Sequence, residues 1–195
     1  MGKLFCLMGK SASGKDSIYR KILERRPELK EVITYTTRPK RDGETEGVQY
    51  HFVDEDRMME LENEGRIIER REYPTVYGAW YYFTADDGQI EPGESYLMIG
   101  TLEAYVALKK YFGDEIVCPL YIEVEDGVRL ERALARERGQ KEPKLEEICR
   151  RFLADSEDFS EKRLEEAGVK NRYINESLEA CVSNILAVVD RELKG

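Results

Sequence analysis

The stretch that most constrains the fold lies near the N-terminus, where the apolar run LFCLM passes directly into GKSASGKDS and then into IYRKILERR. The run is too short for a helix and too apolar for a surface loop, so it reads as a buried strand. Ile18, Ile22 and Leu23 share one helical face, and Pro27 marks the end of that helix. Between strand and helix, Gly9 to Lys15 follow G-x-x-x-x-G-K. A loop of this kind turns successive N–H groups onto one point, and the helix N-terminus adds partial positive charge, which together suit a phosphate. Gly9, Lys10, Ser11, Ala12, Ser13 and Gly14 are the candidate cradle, with Lys15 reaching the β- and γ-phosphates of a nucleotide. Asp16 stands where this pattern carries Ser or Thr for magnesium. Either a cation or water separates its carboxylate from the phosphates, or it turns away and serves the helix dipole in the first turn. Ser17 is the alternative hydroxyl donor.

Downstream, strand-like and helix-like segments alternate. EVITYTT and VQYHFV read as β-rich runs flanking a charged loop at 38–47, and DEDRMMELENEG as a short helix. RIIERREY and VYGAWYYFT are strand-like, with alternating aromatics. ESYLMIG, EIVCPLYIEV and NRYIN read as strands; TLEAYVALKKYF, GVRLERALARER, a long charged segment from about 145 to 167, and SLEACVSNILAVVDREL read as helices. Alternation at both ends of the chain predicts a parallel sheet covered by helices on both faces. The strand-rich middle, 33–84, breaks the rhythm and reads as an inserted antiparallel lobe. The aromatics Trp80, Tyr81, Tyr82 and Phe83 are assigned to packing within it, and His51 to a strand.

With 195 residues and 36% charged side chains, the chain is long enough for one α/β domain with a sizeable core. A net charge of -9 argues against nucleic-acid partners, so any anion site is made locally. No apolar run reaches the ~20 residues that span a bilayer, and MGKLFC lacks a leader pattern. Four spaced cysteines and one histidine predict a reduced, cytoplasmic protein with no metal beyond magnesium brought by a nucleotide.

The segment TYTTRPKRDGETEGVQYHF brackets a second anion site. Arg38 and Arg41 flank Pro39, and Tyr50 returns on the following run. Two guanidinium forks and a phenol suit a terminal phosphate dianion. Residues 34–53 closely resemble the nucleotide-binding segment of guanylate kinases, S-x-T-T-R-x-x-R-x-G-E-x-x-G-x-x-Y-x-F. The likeness extends to GRIIERREYPTVYGA (65–79) and RYINESLEA (172–180). It implies a P-loop kinase fold: a parallel-sheet core (1–32, 93–125 and 159–195), an inserted mixed-β lobe for a nucleoside monophosphate (about 33–92) and a helical lid (about 126–158).

For the site, the resemblance implies that Arg38, Arg41, Tyr50 and Tyr77 bind the acceptor phosphate. Thr34 and Glu69 meet the guanine, Glu69 accepting from N1–H and the exocyclic amine. Arg138 and Arg151 reach the transferring phosphates alongside Lys15, with Arg136 and Arg132 competing for the lid role. Asn175 lies near the donor base. The implied reaction is ATP plus GMP to ADP and GDP with Mg²⁺, in a monomer or homodimer. Departures are Asp16, Ala79 where the family has Thr or Ser, and Met98 and Gly100 where it has acidic residues. Glu103 or Asp16 stands ready to compensate for the lost charge. These departures keep open a different nucleotide or sugar phosphate as acceptor. A catalytically silent phosphopeptide-binding module is the remaining alternative.

Overall fold

The computed structural model describes residues 2–75, 78–140 and 143–194. In chain order, β1 (Leu4–Gly9), α1 (Lys15–Arg25), β2 (Lys30–Glu31), β3 (Tyr35–Thr36), β4 (His51–Phe52) and α2 (Glu55–Asn63) come first. The middle holds β5 (Ile67–Thr75), β6 (Gly78–Ala85), β7 (Tyr96–Ile99), α3 (Leu102–Phe112) and β8 (Val117–Glu123). The chain continues through α4 (Asp126–Arg138), α5 (Leu145–Asp158), α6 (Glu161–Glu166), β9 (Arg172–Ile174) and α7 (Leu178–Lys194).

The main sheet runs β2-β7-β1-β8-β9 and every neighbouring pair is parallel. Its central strand shows why LFCLM carries no polar residue. Leu4, Cys6 and Met8 point into a core shared with α3 and α6, while Phe5 and Leu7 point into one shared with α1 and α7. A strand buried on both faces reads as a continuous apolar run. Each fully buried large apolar side chain contributes roughly 1.5–3 kcal/mol. Helix starts are fixed locally: Asp54 accepts from Arg57 N at 2.8 Å ahead of α2, and Thr101 accepts from Ala104 N at 3.2 Å ahead of α3.

The inserted lobe carries a second sheet, β4-β3-β6-β5, over a small core of Met58, Leu61, Phe83 and Ala85. It is mixed, not antiparallel throughout as the strand runs alone suggest. β3 and β4 are parallel, because the charged loop after β3 is long enough for a crossover of about a dozen residues. The run EVITYTT also forms less ladder than its composition suggests. At Ile33 the side chain of Gln89 stands in for a strand, accepting from Ile33 N at 2.7 Å and donating to Ile33 O at 3.1 Å.

The expected helix from 145 to 167 is two helices. Phe159 is buried and stacks on Tyr121 with ring centroids 5.5 Å apart. Ser160, with φ −66° and ψ 151°, is extended and restarts the chain as α6. Burial of one aromatic thus overrides continuous helical composition. The amphipathic pattern on each side hides the break. Among the described residues no helix is long and apolar enough to cross a membrane.

Candidate active site

Two glycines make the 9–15 loop possible. At Gly9 (φ 155°) a Cβ would lie 2.6 Å from Ile122 O, and at Gly14 (φ 90°) one would lie 2.5 Å from Asn175 Nδ2. That Asn175 amide donates to Ser13 O at 2.8 Å, while its backbone N–H donates to Glu123 O, so it pins the loop to β8. Lys15 Nζ donates to Gly9 O at 2.6 Å and to Lys10 O at 3.1 Å. Desolvation pushes this ammonium down to about 8, against the pull of Asp155 and Asp16, which favour its charged form.

The loop tip is gripped from α4 and α5. Arg129 is 1% exposed; it donates to Ser11 O at 2.9 Å and to Asp126 Oδ1 at 2.7 Å, and lies 3.5 Å from Asp155. Its guanidinium also sits over Phe152, 4.9 Å from the ring centre. Asp155 accepts from Ser11 N at 2.6 Å, and Arg151 donates to Ser11 Oγ at 3.2 Å. Lys10 completes the cluster on Asp126 at 3.2 Å.

On the outer side of the loop a hollow of about 230 Å³ is lined by Ala12, Lys15, Asp16, Ser17, Arg132 and Arg136. Arg132 and Arg136, one helical turn apart on α4, therefore face the loop. Arg138, at the end of that helix, is not part of this lining. Asp16 is exposed at the start of α1. Its carboxylate and the Ser17 hydroxyl are hard oxygen donors of the kind magnesium takes. Among the described residues no group of three or more His, Cys, Asp or Glu could hold a metal by itself. A divalent cation here would therefore depend on phosphate oxygens and water, with Asp16 or Ser17 as its protein donor.

A cleft of about 350 Å³ joins the loop to the inserted lobe. Gly9, Ser11 and Lys15 lie at one end, Thr34, Tyr50 and Glu69 at the other, and Arg151 on its α5 wall. Glu69 accepts from the Thr84 hydroxyl at 2.8 Å through Oε1, and burial pushes its carboxyl pKa up. Tyr50 and Tyr73 both pack edge-on against Tyr82, at 5.6 and 5.2 Å between centroids. Tyr82, assigned to packing by sequence, is thus also a wall of the cleft.

Arg38 and Arg41 do not line this cleft. Arg38 is 3% exposed and donates to both carboxylate oxygens of Glu44, at 2.9 and 2.8 Å, with its guanidinium over the rings of Tyr50 and Phe52. Glu44 is held down to about 2, first by Arg38 and then by the Arg41 N–H. Arg41 itself is exposed. Tyr77 lies outside the described residues. At the floor, Met98 is a core residue of β7, and a Cβ at Gly100 would lie 2.8 Å from Cys6 Sγ. The sheet has no room for a carboxylate at Gly100 unless Cys6 moves. Glu103 is close enough to Glu69 to disfavour its ionisation.

Comparison with known proteins bears on this geometry. A sequence profile described as Guanylate kinase matches residues 1–83. A guanylate kinase of Thermus thermophilus is 31% identical over 204 aligned positions, covering 98% of this chain and 82% of that one. The chain belongs to the guanylate kinase family. A guanylate kinase of Legionella pneumophila strain Lens is 39% identical over 80 residues, 41% of this chain, and the matched stretch spans 37% of that relative's length. The crystal structure of a guanylate kinase from Anaplasma phagocytophilum superposes on the whole chain and on 87% of its own, with a TM-score of 0.66 at 22% identity. That likeness shows that the two chains share a fold.

Several residues of the site were not singled out by sequence reasoning. Arg129 and Asp155 sit in charged helices where burial is not the default. Arg71 and Thr84 face the cleft from strands whose pairing sets Glu69 opposite Thr84 and Arg71 opposite Tyr82. Glu44 had a visible signal: it lies six residues after Arg38 and three after Arg41, within reach of both.

Proposed function

We propose that this chain transfers the γ-phosphoryl group of ATP to GMP, giving ADP and GDP. The observation that carries the reading is the single cleft that runs from Lys15 to Glu69, with Arg151 between them. Transfer requires two anions held in line and the charge on the moving group neutralised, with little covalent work for the protein. A GMP phosphate oxygen attacks the γ-phosphorus as the bond to the β–γ bridging oxygen breaks, and ADP leaves. The attacking oxygen is already anionic, so no general base is assigned.

The loop amides and Lys15 hold the β- and γ-phosphates. Arg151, and Arg132 and Arg136 of α4, supply positive charge where negative charge accumulates. Asp16 and Ser17 would hold a Mg²⁺ carried by ATP, which would supply further neutralisation of the phosphate charge. On the acceptor side Tyr50 and Glu69 border the monophosphate and base, and Glu44 fixes Arg38 and the 38–44 loop behind them. Residues 33–92 are then the acceptor lobe and 126–158 the lid, the remainder being the core. A panel of GMP, dGMP, AMP, UMP and ribose phosphates, read by ADP release, tests the assignment: GMP is the preferred acceptor. Equal use of the others would favour a different acceptor, the reading motivated by the missing carboxylates at Met98 and Gly100.

The lowered lysine pKa carries a pH dependence. Lys15 is charged below about 8 and becomes neutral as pH rises through that value in the free protein. Because kcat/KM for ATP reports the enzyme before ATP binds, it is expected to fall on the alkaline side with a midpoint near 8. Bound polyphosphate restores the charge, so the corresponding limb in kcat lies higher. A pH profile of both parameters with saturating GMP checks this.

A further inference from the structure

The acceptor end of the cleft contains two buried groups with unused hydrogen-bonding capacity. Among the described residues, Glu69 Oε2 and Arg71 Nε are both buried without a hydrogen-bond partner, although they stand only 3.5 Å apart as an ion pair. The Glu69 side chain is 5% exposed. Its other oxygen is already taken by Thr84, and Arg71 Nη1 reaches Tyr73 OH at 3.3 Å. Being two apart on β5, Glu69 and Arg71 project from the same face of the strand, and both line the cleft. Their charges are felt together at Cys6, beneath Gly100.

Buried polar groups left unpaired are costly, and a ligand that satisfies both gains accordingly. The pair offers an acceptor beside a cationic donor. Its complement is a flat edge with a donor beside an acceptor, which is the lactam edge of a 6-oxopurine: N1–H towards Glu69 and the C6 carbonyl towards Arg71. A 6-aminopurine presents the reverse, a ring-nitrogen lone pair to the carboxylate and an amine to the guanidinium.

We propose that Arg71 is a specificity-determining residue that reads the C6 carbonyl of the acceptor base beside Glu69. The inference rests on the reading of this cleft as the GMP site and assigns a second base contact within it. It also gives a member of the family without carboxylates at Met98 and Gly100 a means of selecting an oxopurine: a cation on β5 in place of anions on β7.

The test compares GMP with 6-thioguanosine monophosphate, whose sulfur is a poor acceptor, in the wild type, Arg71→Met and Arg71→Lys. In the wild type GMP is preferred by about tenfold or more in kcat/KM. Arg71→Met raises KM for GMP by about tenfold or more, with a smaller change in kcat and none in KM for ATP. It also brings the GMP preference close to unity, and Arg71→Lys recovers part of that preference. If Arg71→Met weakens both nucleotides equally, or leaves both unchanged, Arg71 does not read the carbonyl and the inference is overturned while the GMP site stands. Calorimetry on the wild type separates the remaining case: binding of ATP with no binding of GMP overturns the acceptor reading and this inference together.

Discussion

Replacing Lys15 with methionine is expected to lower kcat by about 10³-fold or more while GMP binding stays within about twofold of the wild type. The lysine is the ammonium seated in the mouth of the glycine turn, held to Gly9 O and Lys10 O. It bears on the chemistry because positive charge in a desolvated site is worth far more than in water. GMP is spared because Glu69 and Tyr50 lie at the other end of the cleft. Methionine keeps most of the apolar stem, one atom shorter, and gives up only the two bonds to Gly9 O and Lys10 O. Steady-state kinetics with a GMP titration by calorimetry separates the two effects. Near-normal turnover would remove the loop from the mechanism.

The second large effect is on stability. Arg129→Leu is expected to destabilise the fold by about 3 kcal/mol, because truncating the buried member of the cluster leaves Asp155 without its ion-pair partner and Asp126 with Lys10 alone. The carbonyl of Ser11 also loses its Arg129 donor. For a domain of this size the shift in Tm is roughly 6–12 °C. Arg132→Leu, three residues along the same helix but exposed, is expected to stay within about 0.5 kcal/mol. Urea unfolding of both variants gives the comparison. Equal stabilities would mean that the cluster does not hold the glycine turn to α4 and α5.

The contrast between Arg129 and Arg132 shows what was legible in the sequence. Apolar periodicity and the strand-turn-helix start are local properties, and they led to a parallel sheet with helices on both faces. Charged side chains on helices look alike in sequence whether they end in water or against a backbone carbonyl, so the burial of Arg129 left no trace. Phe159 stops a helix only because Tyr121 lies across from it, a contact between distant segments. Arg38 was legible as a cation in a fixed loop, but its occupation by Glu44 depends on how that loop closes. Arg71 was hidden for a similar reason. Its meaning comes from Glu69 two residues away and from a cleft built by strands far apart in the chain.

In the proposed reaction, donor and acceptor nucleotides meet in the cleft between the glycine turn and the inserted lobe. A crystal structure with adenosine and guanosine joined by a chain of phosphates tests it most directly. Phosphates are expected on the amides around Gly14 and on Lys15, with the guanine edge against Glu69 and Arg71. Phosphates settling away from the turn, or a guanine outside the β5–β6 wall, would contradict it.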